Sequence, residues 1–253
     1  MFANERQNSI YEMLQKDGAV NTSTLVEHFG VSLETIRRDL LHMEERKMLK
    51  RVHGGAVQFK EMKPFYSLKR RNQENSEQKR ELSYTAAEFV SEGDYIGVDS
   101  GSTATIFAEV LKEKFSRLTI VTYSSDVFEI LRDHADFSVI LCGGHYLKEE
   151  NAFCGPIAVA TLNNLHMQKA FVCPTAISMR FGICDHQKDL LPLQQCMLRN
   201  ADDVYILSDN SKFEGRAILK LDDMRSDYYY VTDSALGDEL KKIYDENNIK
   251  IYF

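Results

Sequence analysis

Apolar residues near the start of the chain recur at helical spacing. Ile10, Met13 and Leu14 share one face of a helix over 4–17, and Asp17-Gly18 ends it. Leu25, Val26 and Phe29 mark a second, short helix, with Thr22 or Ser23 as its expected cap and Gly30 as its break. Ser32 can cap a third helix running to Arg46, with Ile36, Leu40 and Met43 as its apolar stripe. Glu34, Arg38 and Glu45 fall nearly opposite that stripe, and Thr35 and Arg37 flank it. Two strand-like pieces then surround Gly54-Gly55, which reads as a β-hairpin over 49–57. Together these elements predict a winged helix-turn-helix over residues 1–57.

Residues 58–80 are polar and charged and read as a linker, followed by a helix to Ser91 that buries Leu82, Ala86 and Phe89. From Tyr95 the rhythm changes. Apolar runs at 95–98, 118–122, 137–141, 169–173, 203–208, 228–232 and 249–253 predict strands, and 104–114, 125–133, 156–165, 188–199 and 236–246 predict helices. Strands this apolar, alternating with helices, indicate a mainly parallel sheet covered on both faces. The fold class is therefore α/β: a winged helix-turn-helix plus a mainly parallel α/β domain over 81–253.

The net charge of −7 speaks against nucleic-acid binding only until its distribution is examined. Residues 35–71 hold 11 Lys or Arg against 4 Asp or Glu, so a basic segment sits on an otherwise acidic protein. No apolar run approaches the roughly 18 residues of a membrane span, and the first residues carry no apolar signal core. A cytoplasmic protein with no membrane association is expected. Cys142, Cys154, Cys173, Cys184 and Cys196 are scattered, as buried reduced thiols would be. Cys184 and His186 are unanswered by a second ligand pair, so neither a metal nor another cofactor is expected.

In a helix-turn-helix the N-terminal residues of the second helix of the motif reach base edges in the major groove. Here Ser32, Thr35, Arg37 and Arg38 occupy those places, and Arg51 and His53 lie on the hairpin where backbone or minor groove passes. The alternative is that Arg37 and Arg38 are solvated helix charges, with Arg37 paired to Asp39 or Glu44. The stretch VSLETIRRDLLHMEERKMLKRVHGGA resembles the DeoR/GlpR-type bacterial transcription regulators, with their T-I-R-R-D-L helix and R-x-H-G-G-A wing. Met48 stands where that family commonly has Gly and Met43 where it has Leu, both packing changes. Arg71, Asn75 and Lys79, spaced by four, continue the resemblance.

After the strand at 95–98 come Asp99, Ser100, Gly101, Ser102 and Thr103, then a helix; such a loop gathers amides, hydroxyls and a helix dipole into an anion site, or is simply a capped turn. Thr122 and Ser124, Gly143 and Gly144, and Asp209, Ser211 and Lys212 lie at other strand ends. In a parallel sheet they would meet in one crevice, with Lys212 facing a phosphate and Asp99 accepting from sugar hydroxyls. These segments also resemble the DeoR-type sensor domain, which implies a fold similar to ribose-5-phosphate isomerases and CoA transferases and a phosphorylated sugar as effector. Two departures bear on the pocket: Leu190 and Gln194 stand where the family has Glu and Lys, and Tyr123 where it has Asn.

The resemblance implies a repressor of carbohydrate-metabolism genes, acting as a homodimer or homotetramer on a double-stranded DNA operator. Two alternatives stay open: an isomerase or CoA-transferase-like enzyme with a DNA-binding appendage, and a DNA-binding protein whose larger domain only oligomerises. No catalytic base is assigned, because Asp99 and Asp209 form no paired arrangement.

Overall fold

A computed structural model describes residues 2–59 and 65–253; residues 60–64 of the expected linker lie outside the described residues. Helix α1 (Ala3–Asp17) stops where Gly18 turns left-handed and its amide closes onto the Leu14 carbonyl. Strand β1 (Ala19–Asn21) follows, too short for any periodicity to reveal it. Helices α2 (Thr22–Phe29) and α3 (Leu33–Glu45) lead into β2 (Leu49–Val52) and β3 (Gly55–Gln58). The strands form an antiparallel sheet in the order β1-β3-β2. Only glycine fits at position 55, since a Cβ there would lie 2.1 Å from the Val20 carbonyl oxygen.

The cap of α2 differs from expectation. Asn21 accepts from the Ser23 amide at 2.8 Å, while the Thr22 hydroxyl is spent on the Gly54 carbonyl at 2.9 Å. The extra strand keeps the chain extended through Asn21, which shifts the cap position one residue earlier. Ile36, Leu40 and Met43 are buried against Ile10, Leu14 and Leu25, as the stripe required. Asp39 is buried beneath them, bonded to Arg6 Nε at 2.6 Å and Gln7 Nε2 at 2.9 Å, which ties α1 to α3.

Two helices occupy part of the stretch read as linker, the second running on past its end at residue 80. These are α4 (Leu68–Gln73) and α5 (Ser76–Ala87). Leu82 and Ala86 are buried as expected, but Phe89 lies past the helix end, in a ring cluster with Tyr205, Tyr229 and Tyr252.

Each of the seven apolar runs becomes a strand of one parallel sheet. In chain order these and the small elements between them are β4 (Tyr95–Val98), α6 (Ser102–Lys114), β5 (Thr119–Thr122), α7 (Ser125–Leu131) and β6 (Ser138–Leu141). Hairpin β7 (His145–Leu147) and β8 (Ala152–Cys154) precedes α8 (Pro156–Asn163) and β9 (Met167–Val172). Then come β10 (Ala176–Ser178), β11 (Gly182–Asp185), α9 (Leu191–Arg199), β12 (Ala201–Leu207) and β13 (Leu219–Asp222). Last are β14 (Tyr229–Val231), α10 (Asp238–Glu246) and β15 (Ile251–Tyr252).

The large sheet runs β15-β14-β12-β9-β4-β5-β6, and β10, β11 and β13 form a separate antiparallel sheet. Side chains alternate across the large sheet. Ile120, Phe171 and Tyr205 pack with α5, α6 and α7, whereas their neighbours Val121, Ala170 and Ile206 pack with α8 and α9.

The chain leaves β4 toward β5 and returns to β9 on its other side, so the topological switch point lies between β4 and β9. The winged helix rests on α10. Ile243 shares one apolar cluster with Ala19 and Val57; Glu239 accepts from the Asn21 amide at 3.2 Å, and Asn247 donates to the His53 carbonyl at 3.2 Å.

Candidate functional site

The outer surface of α3 is built around its cap. Ser32 Oγ accepts from the Thr35 amide at 3.2 Å and lies 2.9 Å from Thr35 Oγ1, fixing the helix start where its amides face outward. Arg37 and Arg38 are both exposed and make no ion pair among the described residues. The two carboxylates that could have neutralised Arg37 are committed elsewhere. Asp39 binds Arg6 inside the core, and Glu44 binds Lys50 at 3.2 Å and Arg51 at 3.0 Å. Burial pushes the Glu44 carboxyl up, but the bonds from Arg51 and Lys50 outweigh it and hold it below its ordinary value. Arg51, on β2, is therefore an exposed cation anchored to α3 through Glu44, and His53 is exposed at the hairpin turn.

At the switch point the crevice is filled from within. Asp99 is fully buried, and its carboxylate accepts from the Tyr123 hydroxyl, the Ser100 amide at 2.7 Å, the Cys173 amide at 2.8 Å and Gln194 Nε2 at 3.2 Å. Burial raises its pKa, and these four donors oppose the rise. Burial together with Asp99 likewise drives the Tyr123 phenol upward. Gln194 spans two carboxylates, since Nε2 also donates to Asp185 at 3.0 Å, and Leu190, one helical turn before it, is buried in the apolar core. Both charged positions of the family pattern are thus neutral here. No lysine charge faces Asp99 and Asp185 from α9.

A cavity of about 440 Å³ opens farther out, beyond the end of β12. Asp209, Ser211 and Lys212 line it, together with Arg71, Asn75 and Lys79 from α4 and α5. Asp209 Oδ1 caps the short 3-10 turn Asn210–Lys212, accepting from the Ser211 amide at 3.1 Å, and also accepts from Asn75 Nδ2 at 3.1 Å. Its Oδ2 is buried with no hydrogen-bond partner among the described residues, a cost the fold bears unless a donor arrives. Lys79 Nζ donates to the carbonyls of Arg71 at 2.5 Å and Glu74 at 2.6 Å, closing the C-terminal end of α4. Burial lowers its pKa to about 8, against the pull of Asp209. Arg71 is paired with Glu150 and stands over Gly101 at the start of α6.

The expected site residues therefore separate into two groups. Asp209, Ser211 and Lys212 converge on the cavity. Asp99, Ser100, Ser102, Thr103, Thr122 and Ser124 are buried and do not line it; Thr122 Oγ1 accepts from the Ser124 amide at 3.1 Å, and Ser124 caps α7. Tyr123 is fully buried beside them, and its hydroxyl donates to Asp99. Gly101 meets the cavity wall only through Arg71, and Gly143 and Gly144 lie outside the cavity, before the β7–β8 hairpin. Asp99, expected to accept from a ligand, accepts here from four donors of the chain itself.

Arg71, Asn75 and Lys79 were visible as a four-residue spacing without being placed in the site. A helix break at Glu74–Asn75 turns that spacing into two helix ends facing one cavity, which periodicity alone does not convey. His186 meets Phe65 in a tilted ring contact at 5.1 Å, and no group of three or more His, Cys, Asp or Glu side chains that could hold a metal ion occurs among the described residues.

Residues 6–62 match the DeoR-like helix-turn-helix domain and residues 74–234 the DeoR C terminal sensor domain. The chain belongs to the DeoR family of transcription regulators. It is 32% identical over 219 residues to the lactose phosphotransferase system repressor of Staphylococcus aureus, covering 84% of each chain. It is also 29% identical to the L-fucose operon activator of Haemophilus influenzae, over 97% of this chain and 98% of that one. Among solved structures, ribose 5-phosphate isomerase A of Methanocaldococcus jannaschii aligns over 55% of both chains at 16% identity and a TM-score of 0.40. As a DeoR-family member the chain carries the DNA-binding and sensor units in the order found here, 6–62 then 74–234.

Proposed function

We propose that this regulator represses genes of carbohydrate metabolism and is released from, or retuned on, its operator by a phosphorylated sugar held in the cavity beside Lys212. One observation carries the ligand reading. An orphaned buried acceptor, Asp209 Oδ2, shares a cavity with the ammonium of Lys212, which has no ion-pair partner among the described residues. A compound with both a donor hydroxyl and an anion answers both needs at once. Arg71, already paired with Glu150, stands over Gly101 at the N-terminal end of α6, where the helix dipole also favours an anion.

DNA contact falls to Ser32, Thr35, Arg37 and Arg38 in the major groove and to Arg51 and His53 along the backbone. A head of this size reads few base pairs, so paired heads of a homodimer or homotetramer are expected on repeated half-sites. The relatives include an activator as well as a repressor; the repressor reading follows the more identical of the two.

Catalysis has little to work with. Asp99 is sealed and saturated by donors, and Asp209 bonds Asn75 and Ser211 rather than facing a second carboxylate. The test is to capture genomic DNA fragments on the purified chain, sequence them, and repeat with sugar phosphates present. Fragments beside carbohydrate genes, released by one sugar phosphate from the wild type and retained with it by Lys212→Ala, support the reading. Fragments beside unrelated genes, or an unaltered response in Lys212→Ala, contradict it.

A further inference from the structure

The groove between recognition helix and wing has a third wall that belongs to the larger domain. Its volume is about 670 Å³, and Arg37, Lys50, Arg51 and His53 of the winged helix line it together with Arg180. Arg180 is exposed, on the turn between β10 and β11, with its guanidinium 5.1 Å from the centre of the Phe181 ring. No ion pair involves it among the described residues. The groove holds one carboxylate, Glu44, which is already bonded to Lys50 and Arg51. Arg37 and Arg180 therefore face the groove as uncompensated charges from two different domains.

The turn that presents Arg180 is held in place. Its amide donates to Ser178 Oγ at 3.2 Å, and the Glu214 carboxylate accepts from the Met179 amide at 3.1 Å and from Ser178 Oγ at 3.3 Å. Glu214 follows Lys212 and Phe213 in the loop that lines the ligand cavity. With the recognition helix in the major groove, a phosphate backbone runs between that helix and the wing, and a cation on the third wall meets it.

We propose that Arg180 is a DNA-backbone contact supplied by the sensor domain, on a turn that Glu214 links to the ligand cavity. The inference rests on the DNA-facing reading of α3 and the wing. Its consequence is that a ligand which moves the 209–215 loop alters a DNA contact directly, without first rotating the winged helix.

The experiment is a fluorescence-anisotropy titration of labelled mixed-sequence duplex DNA at a series of salt concentrations. The proteins are the wild-type full-length chain, Arg180→Ala, Arg180→Lys, Arg38→Ala and a control, Arg132→Ala at the end of α7, each checked for native circular dichroism. With Arg180 on a phosphate, Arg180→Ala weakens binding several-fold at low salt and reduces the slope of log affinity against log salt by about one. Arg180→Lys should keep the slope and Arg132→Ala should change nothing. Unchanged affinity and slope in Arg180→Ala, with Arg38→Ala weakened, overturns the inference alone. Tighter binding by Arg180→Ala also overturns it, since the turn would then obstruct the DNA face. If both variants bind like the wild type, the inference falls; if the wild type itself does not bind the duplex, the DNA-facing reading of α3 fails as well, since an Arg38 that reads a base need not hold mixed-sequence DNA.

Discussion

The Tyr244 hydroxyl donates a 2.6 Å hydrogen bond to the Glu214 carboxylate, joining the loop beside the cationic cavity to the helix on which the winged helix rests. Both residues are buried, and burial together with Glu214 drives the Tyr244 phenol far above its ordinary pKa, so the tyrosine stays a donor. A hydrogen bond to a buried charge contributes about 2 kcal/mol. Tyr244→Phe should therefore lower the thermal midpoint by roughly 4–8 °C in a chain of this size. Differential scanning calorimetry checks it, and a midpoint within a degree or so of the wild type (about 0.3 kcal/mol) would show that Glu214 gains nothing from this bond.

Arg38 is exposed on the face of α3 opposite its apolar stripe. If it pairs with a base, Arg38→Ala should cost about 1–3 kcal/mol and relax specificity at one operator position. Binding to an operator-variant library separates that from a uniform loss over all sequences, which would assign Arg38 to phosphate.

Lys79, which lines the cavity, should make ligand binding there pH-dependent. Its pKa of about 8 in the folded chain means that it loses its charge as pH rises through 8, while the phosphate of a ligand stays doubly charged. Affinity for a sugar phosphate should fall above pH 8, and Lys79→Arg should remove the fall. The linked effect on stability has the opposite sense. Between about 8 and the ordinary 10.5 the unfolded chain binds more protons at this group, so this residue's contribution to stability rises with pH across that window. Isothermal titration from pH 7 to 10 tests the binding arm; a flat profile in the wild type would remove Lys79 from the site.

Tyr123 closes the inner crevice with a fully buried ring. Tyr123→Asn should destabilise the chain by about 2–4 kcal/mol, because a large buried side chain is replaced by a small one and Asp99 loses a donor. The same change opens a path to Asp99 and should widen the range of sugar phosphates bound. Urea unfolding and a ligand panel measure the two effects. A stability loss without any change in ligand range would show that the crevice stays shut for another reason.

The large sheet was legible because each of its strands falls in a mostly apolar run, as burial on both faces demands. The short strands β1, β7, β8, β10, β11 and β13 were not read from the pattern; Leu219–Asp222 alternates with charged residues, and Ala176–Ser178 is buried throughout without alternating. The exposure of Arg37 and Arg38 was legible because it follows from the stripe beneath them. Asp99 was placed at the right strand end, but whether a carboxylate faces a ligand depends on which side chains reach it. Tyr123 and Gln194 reach it from β5 and α9, across 24 and 95 residues of chain that no local pattern spans.

The most direct test of a ligand-responsive regulator is a thermal-shift screen of the full-length chain against sugar phosphates and their unphosphorylated parents. A compound that binds only the folded state raises its stability by RT ln(1 + [L]/Kd), which is visible at millimolar ligand even for modest affinity. The expected result is a rise with one phosphorylated sugar, none with its parent, and none in Lys212→Ala. Equal shifts with both forms, or the same shift in Lys212→Ala, would contradict a phosphate site beside Lys212.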